Sequence, residues 1–278
     1  MFNLNNNFNK IYKDMTETNI QDYINIKDYP INNLNWKKNV RDQYIKNGIL
    51  SFKNFIPKDS IQDLQNESKS KLKYAYFNPQ KHNVYLKPQD QSLPLYHPRN
   101  IYVFSSKGCI TDDLISKDSI LRKLYNSLSF ISFISFITGN KKLYPYKDKL
   151  SSINIHFARP GEELGWHFDN SSFAITLMIN DVSAGGEFEY TQPIRGTTVE
   201  KDKEFKNVSM VLNNKYKTTK VTMKPGGLLL FNGKNSMHRV TKVKSNETRI
   251  LAVLAYNDKP GVSLSTSAQM TFYGKSDN

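Results

Sequence analysis

Cysteine is nearly absent from this chain, with Cys109 the single example in 278 residues. One cysteine excludes an intramolecular disulfide and a zinc site built from cysteines. Long apolar runs are also missing: the most apolar stretch, residues 124–138, contains Asn126 and four serines and is shorter than the roughly 20 residues of a membrane span. The first residues do not show the basic and then apolar pattern of a secretory signal. We therefore expect a cytoplasmic protein with no membrane partner.

Arginine is scarce although the chain is strongly basic. The 39 Lys+Arg against 25 Asp+Glu give a formal net charge of +14, yet only seven of these cations are arginines. A basic chain raises the possibility of a nucleic-acid partner. Lysine, however, is a point charge on a flexible stem, whereas arginine offers a planar fork that fits carboxylate or phosphate. The lysine-rich charge is weak evidence for nucleic-acid binding, and each arginine is a candidate for a specific role.

The N-terminal half has a mostly helical pattern. Residues 1–30 are rich in asparagine and predict a loosely tied arm. A Pro-Lys-Asp-Ser start signal at 57–60 precedes a helical pattern, and a proline-rich loop leads into a short strand at 101–104. Two helices are predicted at 113–126 and 128–138, the second ending at Gly139.

The pattern changes to short β runs after Lys149. Alternating or β-branched runs are separated by Gly, Pro and Asn, which is typical of a sandwich or barrel. Lys201–Lys206 is predicted to be part of a charged hairpin or loop. The predicted strands cover 153–158, 173–179, 186–191, 220–224, 228–233, 238–243 and 249–256.

Two of the five histidines lie in a pattern that suggests metal binding. His167 and Asp169 are two residues apart, so in an extended segment their side chains share a face. Together with a distant second imidazole, His238, they could occupy one face of an octahedral ion, as in non-haem Fe(II) oxygenases. His-x-Asp alone is a weak signal, and the residues that follow it strengthen the interpretation. Arg249 lies inside the apolar run RILAVLAY, where a cation needs an anionic partner.

These motifs resemble a known superfamily. The segments HFARPGEELGWHFDNSSFAITLMINDVSAGGEFEY, PGGLLLFNGKNSMHRVTKV and ETRILAVLAY are similar to the Fe(II)/2-oxoglutarate-dependent dioxygenases of the prolyl-4-hydroxylase-like superfamily, over residues 143–258. The segments LYPYKDKL, WHFDNSSFAITL and GGEFEYTQPIR most resemble the branch that hydroxylates or halogenates free amino acids.

The resemblance implies a mainly β fold with flanking helices. Its core is a double-stranded β-helix, a cupin-like jelly roll, buttressed by N-terminal helices. We expect one elaborated domain: an arm and mostly helical support at 1–149, the jelly-roll core at 150–258, and a C-terminal tail at 259–278.

The resemblance also implies the roles of four residues. His167, Asp169 and His238 would ligate Fe(II), and Arg249 would pair with the distal carboxylate of 2-oxoglutarate. Reaction with O2 would yield succinate and CO2, with ascorbate as reductant in vitro. Halogenases of this branch carry a small residue where Asp169 stands, so hydroxylation is expected rather than halogenation, and desaturation or cyclisation stays open.

Several further site residues are open candidates. The superfamily's usual tyrosine on the strand before His-x-Asp is replaced here by alanine, so Asn154, His156 and Tyr256 are candidates for a second contact to 2-oxoglutarate. Candidates for substrate contact are Arg99, Trp166 and Asn170.

The expected partner is a small-molecule substrate, most simply a free amino acid. The alternatives are a prolyl-type protein oxygenase, a nucleic-acid oxygenase, a natural-product desaturase or cyclase, and a jelly-roll binding module without catalysis. The oligomeric state, the substrate and the carbon attacked are not indicated by the sequence.

Overall fold

Two antiparallel β-sheets face each other in the computed structural model, which describes residues 20–277. The larger sheet has the strand order β1-β11-β8-β13-β6-β5-β2, and the smaller has β10-β9-β12-β7-β4-β3. The strands are β1 Ile49–Phe52, β2 Tyr76–Phe77, β3 Gln80–Asn83, β4 Tyr102–Ser105, β5 Gly108–Ile110, β6 Ile153–Ala158, β7 Leu164–His167, β8 Ala174–Asn180, β9 Phe188–Tyr190, β10 Thr219–Val221, β11 Leu228–Phe231, β12 His238–Val240 and β13 Arg249–Leu254.

Helices flank this sandwich, and the predicted jelly-roll class is confirmed. Short 3-10 turns at Ile20–Asp22, Leu72–Tyr74 and Asp112–Leu114 supplement them. The α-helices are α1 Leu34–Asn47, α2 Lys58–Lys71, α3 Ile120–Asn126, α4 Leu128–Thr138, α5 Lys201–Leu212 and α6 Thr266–Tyr273. None of the helices within 20–277 is long and apolar enough to cross a membrane.

The main hydrophobic core lies between the N-terminal helices and the outer face of the larger sheet. Phe130 and Phe133 of α4 pack in one buried cluster with Ile155 of β6, Leu177 of β8 and Ala252 of β13. Because side chains alternate across a strand, the other residues of β6, β8 and β13 face the space between the sheets. The helices therefore hold the larger sheet in place and leave its inner face free for a site.

The region 31–149 contains more strand than the sequence predicts. Strand β4 confirms the predicted strand at 101–104 within one residue, but β1, β2, β3 and β5 are additional. These strands have two to four residues each and pair with distant parts of the chain: β1 pairs with β11, and β5 with β6. Local periodicity carries little information about such short, non-local pairs.

The charged segment at 201–206 is a helix, not the predicted hairpin or loop. It begins α5, whose buried residues Glu204, Val208 and Val211 follow the i, i+4, i+7 spacing of one helix face. Because the first turn of α5 is highly charged, this buried stripe is not evident from the sequence.

The two ends of the chain are more structured than predicted where they are described. Residues 1–19 of the expected arm lie outside the described residues, and Ile20 and Ile24 are buried in the main core. The expected C-terminal tail contains α6, whose Tyr273 is buried against Cys109 and Leu150. The expected tail is therefore packed against β5 of the larger sheet.

Candidate metal centre and inner cavity

A cavity of about 360 Å³ lies between the two sheets. Strand alternation decides which side chains reach it. On β13, Arg249, Leu251 and Val253 line the cavity, while the residues between them face the helical core. Asn154 and His156 of β6 line it in the same way, opposite Val253 and Leu251 of β13.

Three potential metal ligands meet at one end of the cavity. His167 ends β7 and His238 begins β12, and these two residues are directly paired in the smaller sheet. Asp169 follows two residues after His167, and its Oδ1 lies 3.7 Å from His167 Nε2 and 3.5 Å from His238 Nε2. Ligand atoms of all three residues lie within 4.8 Å of one another. The structure therefore brings together the two imidazoles and the carboxylate that the sequence predicts as a cluster.

Backbone carbonyls fix the orientation of both imidazoles. His167 Nδ1 lies 2.8 Å from the carbonyl oxygen of Gly165, and His238 Nδ1 lies 3.1 Å from that of Ser236. A carbonyl can only accept, so each Nδ1 carries a proton and each Nε2 faces Asp169. Burial, followed by the neighbouring His238, lowers the pKa of His167 to about 3. The imidazole is therefore neutral at physiological pH, as a metal ligand must be.

Asp169 occupies a confined position shaped by Gly233. Its backbone N–H donates to the carbonyl of Gly233 at 3.0 Å. A Cβ on Gly233 would overlap Asp169 Oδ2 and approach His238 Cε1. Asp169 Oδ2 is itself a buried atom with no hydrogen-bond partner among the described residues. Burial raises the pKa of Asp169, but His238 and His167 outweigh it, so the net shift is downward and favours the carboxylate.

Arg249 places an unpaired cation at the cavity floor. The residue is only 6% exposed, and its Nε is buried without a hydrogen-bond partner within residues 20–277. Burial lowers the pKa of its guanidinium to about 10, so it remains charged at neutral pH. Gly186, with φ of 62°, leaves room for this side chain, because a Cβ there would lie 3.1 Å from Arg249 Cδ. A buried cation without an acid is costly unless an anionic ligand completes it.

Lys107 is a second basic side chain of this cavity, and the sequence does not single it out. Burial lowers the pKa of its ammonium group, although Cys109 and Asp169 oppose this shift. Lys107 lies between β4 and β5, and its Nζ is 3.0 Å from His156 Nε2. Burial, then Lys107 and then Arg249 hold the pKa of His156 well below its usual range, so this imidazole is neutral. Nothing in the sequence distinguishes Lys107 from the other lysines. Only the folded structure shows that it lies beside His156.

The three candidates for the second 2-oxoglutarate contact have different surroundings. His156 lines the cavity between the two basic side chains. Asn154 also lines it, but its amide donates to the carbonyls of Leu150 and Ile153, and its Oδ1 accepts from Tyr273. Tyr256 does not reach the cavity.

The Tyr256 ring faces the helical core and stacks on Tyr125 at 4.3 Å, and its hydroxyl donates to the Tyr125 carbonyl at 2.6 Å. Side chains alternate between the two faces along this segment. Tyr256 is an odd number of residues from the inward-facing Arg249, so its ring points to the opposite face.

The three candidates for substrate contact lie in different parts of the structure. Trp166 alternates with His167 and packs with Phe168 in a buried cluster on the opposite face of the smaller sheet, so it does not line the cavity. Asn170 is exposed at the cavity mouth. Arg99 lies outside this cavity, in a neighbouring outer pocket that also touches Asn170.

Another histidine, His82, also lines the inner cavity, and its Nε2 lies 2.7 Å from Ser105 Oγ. Its ring centroid is 6.3 Å from that of His167. Burial lowers the pKa of His82.

Comparison with solved structures shows a shared fold. The prolyl-4-hydroxylase of Pseudomonas putida superposes with a TM-score of 0.51 at 12% identity, covering 80% of this chain and 99% of that chain. The prolyl hydroxylase of Trichoplax adhaerens, in complex with a hypoxia-inducible-factor peptide, gives 0.51 at 15% identity, covering 81% and 90%. The epimerase SnoN, in complex with Fe3+, alpha ketoglutarate and nogalamycin RO, gives 0.53 at 8% identity, covering 81% and 84%.

These likenesses identify the jelly-roll fold of the Fe(II)/2-oxoglutarate oxygenases, as the sequence motifs predict. No curated protein matches the sequence of this chain. The family described as HalD, Halogenase D, matches residues 33–271, which include both sheets and the whole candidate metal centre. The chain therefore belongs to the halogenase D family.

Proposed function

We propose that this protein is an Fe(II)- and 2-oxoglutarate-dependent hydroxylase of a free amino acid or a similar small polar metabolite. The observation that carries the proposal is the cluster of His167, Asp169 and His238, in which both imidazoles are buried and the carboxylate is half-buried. Two imidazoles whose Nε2 atoms face one carboxylate form the donor set of a non-haem iron site. The unpartnered Oδ2 of Asp169 fits a bound cation.

Arg249 and Lys107 are the residues we assign to 2-oxoglutarate. The unpaired guanidinium of Arg249 suits the distal carboxylate of this cosubstrate, because an arginine fork can bind a carboxylate with two hydrogen bonds. Lys107 supplies a second basic side chain, and the neutral His156 beside it can donate or accept a hydrogen bond without adding charge. Asn154 supports the wall instead, since its amide is already bonded to backbone carbonyls.

The bound iron and 2-oxoglutarate would supply the oxidation, in which O2 and a substrate C–H group give succinate, CO2 and a hydroxylated product. The chain's own contribution is positioning and exclusion of water. Phe188, Leu229 and Phe231 form an apolar wall beside the metal cluster, with the Phe231 ring centroid 4.9 Å from that of His238. Such a wall keeps bulk water from the reacting centre and strengthens the electrostatic contacts made there.

Asp169 supports hydroxylation rather than halogenation, although the family is described as halogenase D. A carboxylate at this position occupies the place that a halide would need beside the iron. The close approach of Gly233 to Asp169 leaves no spare room on that side.

A small substrate is supported by the size and walls of the cavity. The volume of about 360 Å³ has to hold 2-oxoglutarate as well as the reacting part of the substrate. Leu264, Thr271 and Phe272 from the C-terminal segment line the cavity and add to its walls. A peptide substrate, as bound by the Trichoplax enzyme, would need an open groove there.

The proposal is tested by a turnover screen with purified protein, Fe(II), ascorbate and 2-oxoglutarate. Succinate formation is measured across the free amino acids and a set of short peptides, with His167→Ala as the control. We expect one or a few amino acids to accelerate succinate formation above the substrate-free rate, and a hydroxylated product of matching amount. Acceleration by peptides alone would replace the amino-acid assignment with a protein substrate, and no succinate above the control would end the proposal.

Gly233→Ala is expected to damage the metal site while leaving the fold intact. The new methyl group would displace Asp169, so we expect Fe(II) affinity to fall at least about tenfold, comparable to the loss of an outer-shell partner of a metal ligand. Equilibrium Fe(II) binding measures the effect, and circular dichroism checks the fold. In an Asp169→Ala background, Gly233→Ala should not lower Fe(II) affinity any further. An equal loss of Fe(II) affinity in that background would show that Gly233 acts through another residue.

A further inference from the structure

A second pocket, the outer pocket, adjoins the metal centre. It has a volume of about 710 Å³ and shares Asn170 with the inner cavity. Arg99, Arg195, Lys87 and Lys234 line it, together with Tyr85 and Glu204. Its charge and its unpartnered polar atoms are not explained by the iron and 2-oxoglutarate sites.

Arg195 is held over the metal-binding segment without an acidic partner. Its guanidinium carbon lies 4.5 Å from the ring centroid of Phe168, the residue between His167 and Asp169. Arg195 forms no ion pair within the described part of the chain. Arg239, by contrast, forms one with Glu189 at 2.7 Å. The guanidinium of Arg195 thus stays available beside the metal centre.

Arg99 points a second guanidinium into the same pocket. Its Nη2 donates to the carbonyl of Pro88 at 3.1 Å, and its guanidinium carbon lies 5.2 Å from the ring centroid of Tyr85. These contacts fix the side chain, while its Nη1 is buried and has no acceptor among residues 20–277. A buried, oriented donor without an acceptor is costly unless a ligand completes it.

The pocket has a surplus of positive charge. The acid that lines it, Glu204, is 1% exposed and already paired with Lys201 at 3.1 Å. Lys87 and Lys234 are exposed at the rim, and neither forms an ion pair with a described acid. Two guanidinium groups and two ammonium groups therefore face one concavity, and none of the four forms an ion pair with a described acid. A cleft lined by one sign of charge concentrates ligands of the opposite sign.

We propose that the outer pocket binds an oxyanion group of the substrate, held by Arg99 and Arg195 with Lys87 and Lys234 at its rim. This inference rests on the proposed function, because it assigns the group to the molecule oxidised at the adjacent metal centre. One guanidinium fork is sufficient for a single carboxylate, whereas two forks with two ammonium groups match a dianion such as a phosphate monoester. The substrate class is thus a small metabolite carrying phosphate, or a second carboxylate, beyond the carbon that is oxidised.

Direct titration tests the subsite without iron or turnover. Inorganic phosphate and acetate are titrated calorimetrically into the iron-free protein at low ionic strength. We expect phosphate to bind more tightly than acetate, and its affinity to fall about 10- to 100-fold in Arg99→Gln and in Arg195→Gln. Arg41→Gln is the matched control, because Arg41 stacks on Phe136 far from the pocket, and it should change the affinity less than twofold. Circular dichroism checks that each variant folds.

Equal phosphate affinity in all three variants and the wild type would overturn the subsite. A second arm compares O-phosphoserine, glutamate and serine in the succinate screen. Faster turnover with O-phosphoserine supports a phosphate-bearing substrate, faster turnover with glutamate supports a carboxylate in the same subsite, and faster turnover with serine contradicts the inference. If the titration disproves the subsite, succinate formation still tests the proposed function independently. Failure of the subsite and failure of the proposed function are therefore distinguishable.

Discussion

Asp169→Ala is expected to reduce Fe(II) affinity by at least about 100-fold and to abolish hydroxylation. The change removes one of three protein ligands, which should cost more than the 10- to 100-fold loss seen when an outer-shell partner is removed. Equilibrium Fe(II) binding and succinate formation are the measurements. Because the vacated position would accept a halide, added chloride should partly restore iron binding in the variant and have no such effect on the wild type.

Asp181→Ala is a suitable control for the loss of a carboxylate. Asp181 pairs with Lys224 on the surface, away from the metal centre. This variant should bind Fe(II) as the wild type does. If Asp169→Ala bound Fe(II) as tightly as this control, the assignment of Asp169 to the metal would be wrong. Chlorinated product from the wild type would contradict the hydroxylase assignment.

Arg249→Met is expected to weaken 2-oxoglutarate binding without lowering the stability of the ligand-free protein. Removing one partner of a buried charge pair costs about 2 to 5 kcal/mol, which corresponds to a roughly 30- to 4,000-fold higher Kd for 2-oxoglutarate. Fe(II) affinity should change little, because Arg249 makes no hydrogen bond to the three ligands in the described structure. The free energy of unfolding of the ligand-free protein should be unchanged or higher, since the variant removes a buried cation that lacks a partner.

Arg239→Met provides the contrast. Arg239 is paired with Glu189, which is buried and would lose its closest cation, although Lys220 remains 3.5 Å away. Because Arg239 is partly exposed and Lys220 remains, we expect a loss of about 1 to 2 kcal/mol in unfolding free energy, less than for a fully buried pair. Its Kd for 2-oxoglutarate should stay near that of the wild type. If Arg249→Met destabilised the ligand-free protein more than Arg239→Met, Arg249 would be a structural residue.

The cluster of candidate metal ligands could be predicted because its chemistry is visible at short range. His167 and Asp169 are two residues apart, and the chain has only five histidines and seven arginines, which narrows the choice of partners. Strand alternation also decides which of the other candidates can reach the cavity. Counting from an inward-facing Arg249 already excludes Tyr256, and counting from His167 excludes Trp166.

The rest of the site depends on pairings that are distant along the chain. Lys107 reaches the cavity because β5 pairs with β6, and Cys109 lies opposite His156 in that pair. No local pattern indicates this pairing, and lysine is too common here to attract attention. The outer pocket likewise combines a loop before β4, a loop after β9 and the first turn of α5, and α5 was not predicted as a helix.

In the proposed function, 2-oxoglutarate decarboxylation is coupled to substrate oxygenation at His167, Asp169 and His238. The most direct test is turnover under ¹⁸O₂ with Fe(II), 2-oxoglutarate and the most active substrate of the screen. We expect one labelled oxygen in succinate and one in the hydroxylated product from the wild type, and neither from His167→Ala. Unlabelled succinate, or equal labelling from the wild type and His167→Ala, would contradict it.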